Sequence, residues 1–249
     1  MDKLCKFFGV EYVDLYKVLI DTNSFIAGGS ALRAMLIEDD KEPFIDQDLD
    51  IFIRLNYSKT EYMKMQEDGD FTKYQCDKIN KIYQEFFEKY QYKCKYSHNQ
   101  YKTKVINGSD KFDYSDDKIL CEYIKNIHVY KNDNGRQVQL IYIFNHKIEE
   151  FLNTFDLNIC KIAIVPYLNE LQFYHNITNY MSNDELAMIQ RKEMYITQIS
   201  NTGRMANRIM KYIDRGFYWR DLNKTDEITD EMRAEQAKIE YEVIYDYCM

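Results

Sequence analysis

The chain has 249 residues, with 33 Lys and Arg against 41 Asp and Glu, which gives a formal net charge of −8. This acidic balance argues against a protein that coats nucleic acid non-specifically, and the hydrophobic content of 45% argues against a disordered chain. No run approaches the roughly 18 uncharged apolar residues of a membrane span, and the first ten residues do not resemble a signal peptide, so we expect a cytoplasmic protein with no membrane partner.

The first predicted elements are a short helix over 11–20, a strand over 24–27 and a helix over 30–38. The dipeptide Gly28-Gly29 separates that strand from the second helix. Ser30 is placed to be the N-cap of the second helix, because a serine hydroxyl accepts well from the free N–H groups of a first turn.

Strict alternation predicts a strand over 48–54, and a long helix is predicted over 70–93 before an unassigned polar stretch at 94–118. Asn134-Gly135 lies between two alternating runs and predicts a β-hairpin. Further strands are predicted at 125–131, 137–144, 159–165 and 170–175. The other predicted helices cover 147–154, 183 to about 218, and 224–249.

This order of elements predicts an α+β fold, in which a small mixed or antiparallel sheet is flanked by helices. The predicted core covers 1–178 and contains a helical insertion over about 57–120. A helical C-terminal region is predicted over 179–249. The six cysteines and four histidines show no metal-binding spacing, so we expect reduced thiols and no zinc site.

Two short motifs carry the most chemical information. Gly28-Gly29-Ser30 opens a helix, where backbone N–H groups can approach a phosphate that the helix dipole also favours. Asp48 and Asp50 are two residues apart on a strand, so both carboxylates point to one face. Adjacent carboxylates repel each other unless a cation lies between them, and Mg²⁺ takes oxygen ligands from protein and from substrate phosphates.

In this order, and with apolar residues at Leu49, Ile51 and Ile53, the motifs resemble the signature of the nucleotidyltransferase superfamily, which includes DNA polymerase beta and the CCA-adding and poly(A) polymerases. The resemblance implies the nucleotidyltransferase fold, a nucleoside triphosphate substrate and Mg²⁺ or Mn²⁺ as the cofactor. It also implies that Gly28, Gly29 and Ser30 bind the triphosphate, while Asp48 and Asp50 are metal ligands and catalytic residues.

Two downstream segments, 155–160 and 208–217, resemble a branch of nucleotidyltransferase-like proteins associated with large DNA viruses. The resemblance then covers roughly 20–220 and implies a viral or phage protein in the host cell cytoplasm. The abundance of Lys, Asn, Tyr and Ile fits an AT-rich genome of that kind, and it fits ordinary compositional drift equally well.

The family's third carboxylate is expected on a neighbouring strand, where this chain has Gln139. Glutamine can bind a metal through its carbonyl oxygen, but it supplies neither charge nor a base. Asp156 is the candidate substitute as a third catalytic carboxylate, although a turn residue between a helix and a strand explains it as well.

Basic residues recur at helical spacing near the C-terminal end of the core. Arg204, Arg208, Lys211 and Arg215 form this stripe, and the last three are predicted to bind nucleotide. Arg33, one turn into the helix after the glycines, is a further candidate for phosphate. A solvated or salt-bridged helix face explains the stripe equally simply.

Three functions follow from these residues. The first is a Mg²⁺-dependent enzyme that transfers a nucleoside monophosphate to a hydroxyl of an RNA, tRNA, protein or small-molecule acceptor. The alternative is a catalytically inactive protein of the same fold that binds nucleotide or serves as a scaffold, and Gln139 favours it. The third is a toxin or defence-related transferase, which the sequence does not separate from the first.

Overall fold

The computed structural model describes residues 1–36, 48–68, 71–99, 102–104, 123–197 and 202–220. Its helices are α1 (Asp2–Phe8), α2 (Tyr12–Asp21), α3 (Gly29–Leu36), α4 (Lys59–Asp68), α5 (Phe71–Lys89), α6 (Ile148–Leu152), α7 (Tyr174–Ile177), α8 (Asn183–Gln190) and α9 (Thr202–Ile213). Its strands are β1 (Ser24–Ala27), β2 (Leu49–Arg54), β3 (Lys93–Asn99), β4 (Lys102–Lys104), β5 (Ile124–Lys131), β6 (Gln137–Ile143), β7 (Ala163–Tyr167), β8 (Glu170–Phe173), β9 (Glu193–Met194) and β10 (Tyr218–Trp219). The predicted α+β class is confirmed.

Within these residues the main sheet has the strand order β4-β3-β5-β6-β2-β1-β7-β8. Its neighbouring strands run antiparallel except for β2 and β6, which run parallel. The predicted hairpin joins β5 to β6 through Asn132, Asp133, Asn134 and Gly135. The parallel register places Asp50 opposite Gln139 and Leu49 opposite Val138.

Both faces of the central strands are buried, because their alternate residues enter two apolar clusters. Ile51 and Ile53 pack on one side with residues of α1, α2 and α5, including Phe8, Leu19 and Phe87. Phe52 packs on the other side with Phe25 of β1 and Phe151 of α6. Asp48 and Asp50 share the alternation of Phe52, so the pleat directs their side chains to that second side.

The predicted helical insertion over about 57–120 is only partly helical. The chain is helical in α4 and α5, as far as Lys89, and then returns to the sheet as β3, which pairs with β5. Backbone pairing explains the difference, because β3 satisfies the N–H and C=O groups along the open edge of β5.

The prediction of one continuous helix from 183 to about 218 is wrong in the middle of that range, where the chain leaves the helix. α8 ends at Gln190, and Lys192 adopts a φ of 59°, a left-handed conformation that an α-helix cannot contain. Glu193–Met194 then pairs in parallel with Tyr218–Trp219. The 159–165 prediction is also shifted, because Asn158–Cys160 is a 3-10 turn and β7 begins at Ala163.

The helix predicted over 224–249 and much of the stretch at 94–118 lie outside the described residues. Within the described ranges, no helix is both long enough and apolar enough to cross a bilayer.

Candidate functional site

The turn between β1 and α3 is built on a glycine with a positive φ. Gly28 has a φ of 73°, which a residue with a side chain adopts only at a cost, and its N–H donates to Ile162 O at 3.2 Å. A Cβ on Gly28 would lie 3.6 Å from Asp50 Oδ2 and 3.8 Å from Phe155 Cε1. The glycine turn therefore lies directly against the aspartate strand.

Ser30 connects the turn to that strand instead of capping the helix, so its prediction as N-cap is wrong. The helix begins one residue earlier, at Gly29, which places Ser30 inside the first turn and fully buried. Its hydroxyl donates to Ala27 O and accepts from Asp50 N, each at 3.4 Å. These contacts fix the spacing between the glycine turn and Asp50.

The aspartate pair meets the side chains of β6. Gln137 Nε2 and Gln139 Nε2 both donate to Asp48 Oδ2, at 2.9 and 2.7 Å. No donor among the described residues hydrogen-bonds to the carboxylate of Asp50, which is half-buried. Among the described residues, one carboxylate of the pair is thus held by two amides, while the other accepts no hydrogen bond.

The electrostatics of the pair show a shortage of positive charge. Burial and then repulsion from Asp48 raise the pKa of Asp50 to about 7. Burial also raises the pKa of Asp48, against the hydrogen bond from Gln139 and the charge of Lys211. Arg208 and Lys211 act on Asp50 in the opposite direction but do not cancel the effect. A cation beside the carboxylates would relieve their mutual repulsion.

A divalent cation fits this donor set only in part. Among the described residues, no cluster of three or more His, Cys, Asp or Glu side chains could hold a metal. The two carboxylates supply hard oxygen ligands, and Mg²⁺ commonly takes its other ligands from water and substrate phosphates. Gln139, predicted as a third ligand, lies opposite Asp50 but turns its amide nitrogen toward Asp48.

Asp156, the other candidate for a third carboxylate, is paired with an arginine. It is 2% exposed, and Arg208 Nη1 lies 2.9 Å from its Oδ1 and 3.0 Å from its Oδ2. The same guanidinium donates to Cys160 Sγ at 3.6 Å. Asp156 therefore forms a buried ion pair that fixes the position of the Arg208 guanidinium, and its predicted catalytic role stays a prediction.

The predicted nucleotide-binding cations divide into two groups. Arg208 and the exposed Lys211 place positive charge near Asp50, and Arg215 lies over the Tyr212 ring, with Cζ 5.4 Å from the centroid. Arg33, in contrast, is 4% exposed with its Cζ 3.5 Å from the Phe7 centroid. Arg33 thus packs against α1, and the side chain of Arg204 lies outside the described set.

Two contributors were not predicted from the sequence. Gln137 contacts Asp48, and Phe155 lies beside the glycine turn. The alternation of β6 places Gln137 and Gln139 on one face, so this pattern could have identified Gln137. Phe155 reaches the turn through the tertiary fold, and no local pattern indicates it.

Comparison with known proteins yields structural neighbours of low similarity. No protein-family model matches the chain, and no curated protein matches it. The chain is similar to the apo form of a CCA-adding enzyme, with a TM-score of 0.41, 14% identity, and coverage of 96% of this chain and 43% of that one. It is also similar to the Thermotoga maritima CCA-adding enzyme complexed with tRNA, with a TM-score of 0.41, 14% identity, and coverage of 92% and 41%. The chain thus spans less than half the length of these enzymes.

Proposed function

We propose that this chain binds a nucleoside triphosphate with Mg²⁺ or Mn²⁺ and transfers its nucleoside monophosphate to a hydroxyl group. The observation that carries the proposal is the contact between the glycine turn and the aspartate strand. The Ser30 hydroxyl accepts a hydrogen bond from Asp50 N at 3.4 Å. A Cβ placed on Gly28 would lie 3.6 Å from Asp50 Oδ2, so the glycine backbone lies close to that carboxylate. In this proposal the turn binds an anion and the carboxylate binds a metal, so that both groups serve one site.

In this proposal the backbone N–H groups of Gly29 and Ser30 hold the phosphates, and Asp48 and Asp50 hold the cation. Gly28 gives the turn its positive φ, because its own N–H is already bound to Ile162 O. When bound, the cation would align the acceptor hydroxyl with the α-phosphorus and stabilise the leaving pyrophosphate. Arg208 and Lys211 supply positive charge near Asp50, and Asp156 orients Arg208. The new bond joins the acceptor oxygen to the α-phosphorus as the bond to pyrophosphate breaks, and the hydroxyl proton passes to solvent.

The proposals for the acceptor, the superfamily and the viral origin rest on the sequence resemblance alone. We propose membership in the nucleotidyltransferase superfamily and an RNA 3′ hydroxyl, tRNA included, as the first acceptor to test, with a protein hydroxyl as the second. The net charge of −8 disfavours extended contact with nucleic acid, so we expect only the end of an RNA to enter the site.

A second candidate function is nucleotide binding without transfer. It is favoured by two placements: Gln139 stands opposite Asp50, and Asp156 is bound to Arg208. The pair then lacks the third carboxylate that would complete the metal site. Such a protein would bind the metal–nucleotide complex and show no turnover.

One experiment separates the two functions. The full chain is incubated with each labelled nucleoside triphosphate, Mg²⁺ or Mn²⁺, and either total RNA or total protein. Label transfer that disappears in a double variant, Asp48→Asn with Asp50→Asn, supports the transferase. Asp133→Asn is the matched control, because this carboxylate lies in the β5–β6 hairpin with 79% of its side chain exposed.

Binding of the nucleotide is measured in parallel by equilibrium dialysis. Metal-dependent binding without transfer to any acceptor supports the second function. The absence of both binding and transfer would refute the two functions together.

A further inference from the structure

An open cavity lies at the end of the central strands opposite the glycine turn. Its volume is about 320 Å³, and Ser24 and Arg54 line it. β1 runs from Ser24 toward Gly28, and Ser24 pairs with Ile53 of the antiparallel β2. At about 3.3 Å per residue, the Ser24 end lies roughly 13 Å from Gly28, so this cavity is separate from the proposed nucleotide site.

The walls of the cavity are mainly apolar. The lining comes from helices and from the adjacent end of the sheet, and it includes Leu19, Phe25, Ile148, Val165 and Ile177. A water molecule takes about 30 Å³ of liquid, so the cavity has room for roughly ten non-hydrogen atoms. This size is at the lower limit of ligand pockets, which suits a small molecule and not a nucleotide.

One arginine gives the cavity its charge, and its position is fixed by a neutral partner. Arg54 Nη2 donates to Asn23 Oδ1 at 2.7 Å, and Asn23 Nδ2 donates back to Arg54 O at 3.3 Å. The backbone N–H of Arg54 also donates to Asn23 O at 3.2 Å. Asn23 has a φ of 53°, a left-handed conformation that asparagine adopts more readily than most residues.

The charge of Arg54 is not neutralised by this arrangement. Within the described ranges, no carboxylate forms an ion pair with Arg54, although the chain as a whole is acidic. Tyr174 lines the cavity, and its hydroxyl donates to Glu149, which itself does not line it. A guanidinium offers five N–H donors, and Asn23 uses only one edge of it.

We propose that this cavity binds a small amphipathic anion, with a compact anionic head on Arg54 and a short alkyl chain against the apolar walls. Octanoate, with ten non-hydrogen atoms, matches both the volume and the charge. Its head could equally be a phosphate on the same chain, since a guanidinium binds either group in a bidentate manner.

The test measures binding of octanoate, octyl phosphate and octanol to the full chain by isothermal titration calorimetry. We expect octanoate or octyl phosphate to bind with a dissociation constant of ~1 mM or tighter, and octanol to bind at least tenfold more weakly. The stronger of the two anions identifies the head group. Equal binding of octanol and both anions would overturn the role of Arg54, and no binding of either anion would overturn the site.

Two variants and one control locate the ligand. Arg54→Gln is expected to weaken the anion at least tenfold, whereas Lys147→Gln, which removes an exposed cation that does not line the cavity, leaves it unchanged. Ile177→Trp fills the cavity and abolishes binding while Arg54 stays in place. Circular dichroism confirms that each variant is folded. Unchanged binding in a folded Arg54→Gln protein, or displacement of octanoate by Mg²⁺ and ATP, would contradict the proposal.

Discussion

Replacing Asp50 with asparagine is expected to stabilise the protein at alkaline pH when no divalent metal is present. Burial and the neighbouring Asp48 raise the pKa of Asp50 from 3.8 to about 7. Because the folded state holds this proton more tightly than the unfolded chain does, stability falls as pH rises between about 4 and 7. The penalty is complete above pH 7, and Asp50→Asn removes it.

The size of the gain follows from the same pKa change. A difference of one in pKa corresponds to 1.36 kcal/mol, so the change at Asp50 corresponds to about 4 kcal/mol above pH 7. Solvent screens part of this cost at a half-buried position, and we expect Asp50→Asn to raise the free energy of unfolding by about 2 kcal/mol at pH 8.

Urea denaturation at pH 4 and pH 8, in buffer with EDTA, measures the effect. The difference between wild type and Asp50→Asn should be large at pH 8 and close to zero at pH 4. Asp133→Asn, at an exposed hairpin position, controls for the loss of any carboxylate. Added Mg²⁺ at pH 8 should stabilise the wild type more than the variant. A variant that is less stable than wild type at pH 8 without metal would refute the reasoning.

Three further perturbations test other parts of the site. Arg208→Gln leaves Asp156, which is 2% exposed, without its ion pair, and should lower the free energy of unfolding by about 2 kcal/mol in urea titrations. A second change, Asp156→Asn, should recover part of this loss, and no recovery would contradict the role of the ion pair. Gly28→Ala forces a side chain into a φ of 73°, and a loss of about 1 kcal/mol should lower the melting temperature by roughly 2–4 °C in calorimetry. Gln139→Glu replaces a donor 2.7 Å from Asp48 with a third carboxylate, and should tighten Mn²⁺ binding about tenfold by electron paramagnetic resonance; unchanged affinity would place residue 139 outside the metal site.

The central part of the fold was predictable because its signals are local. The strand at 24–27 coincides with β1, and the alternation over 48–54 gives β2 from Leu49 to Arg54. The Asn134-Gly135 turn joins β5 to β6 as predicted. Each of these features depends on residues within about eight positions, where the period of a strand and the φ of a turn are encoded directly.

The predictions failed where a segment's state depends on a distant partner. β3 is polar and showed no clear period, and it is a strand because it pairs with β5. Glu193 leaves the predicted helix to pair near Tyr218, and its carboxylate forms ion pairs with Arg191 and Arg220. Tertiary contacts of this kind override local helical preference.

The sequence by itself determined the α+β class, the glycine turn and the shared face of Asp48 and Asp50, because these follow from backbone sterics and the two-residue period of a strand. Only the tertiary structure decided what surrounds them. Gln139 reaches Asp48 from 91 residues away, and Asp156 meets Arg208 across 52 residues. Contacts over such separations depend on which strands and helices become neighbours. The local pattern therefore specified a glycine turn followed by two acids on one strand face, and the fold determined which described side chains lie near them, namely two amides and an arginine paired with Asp156.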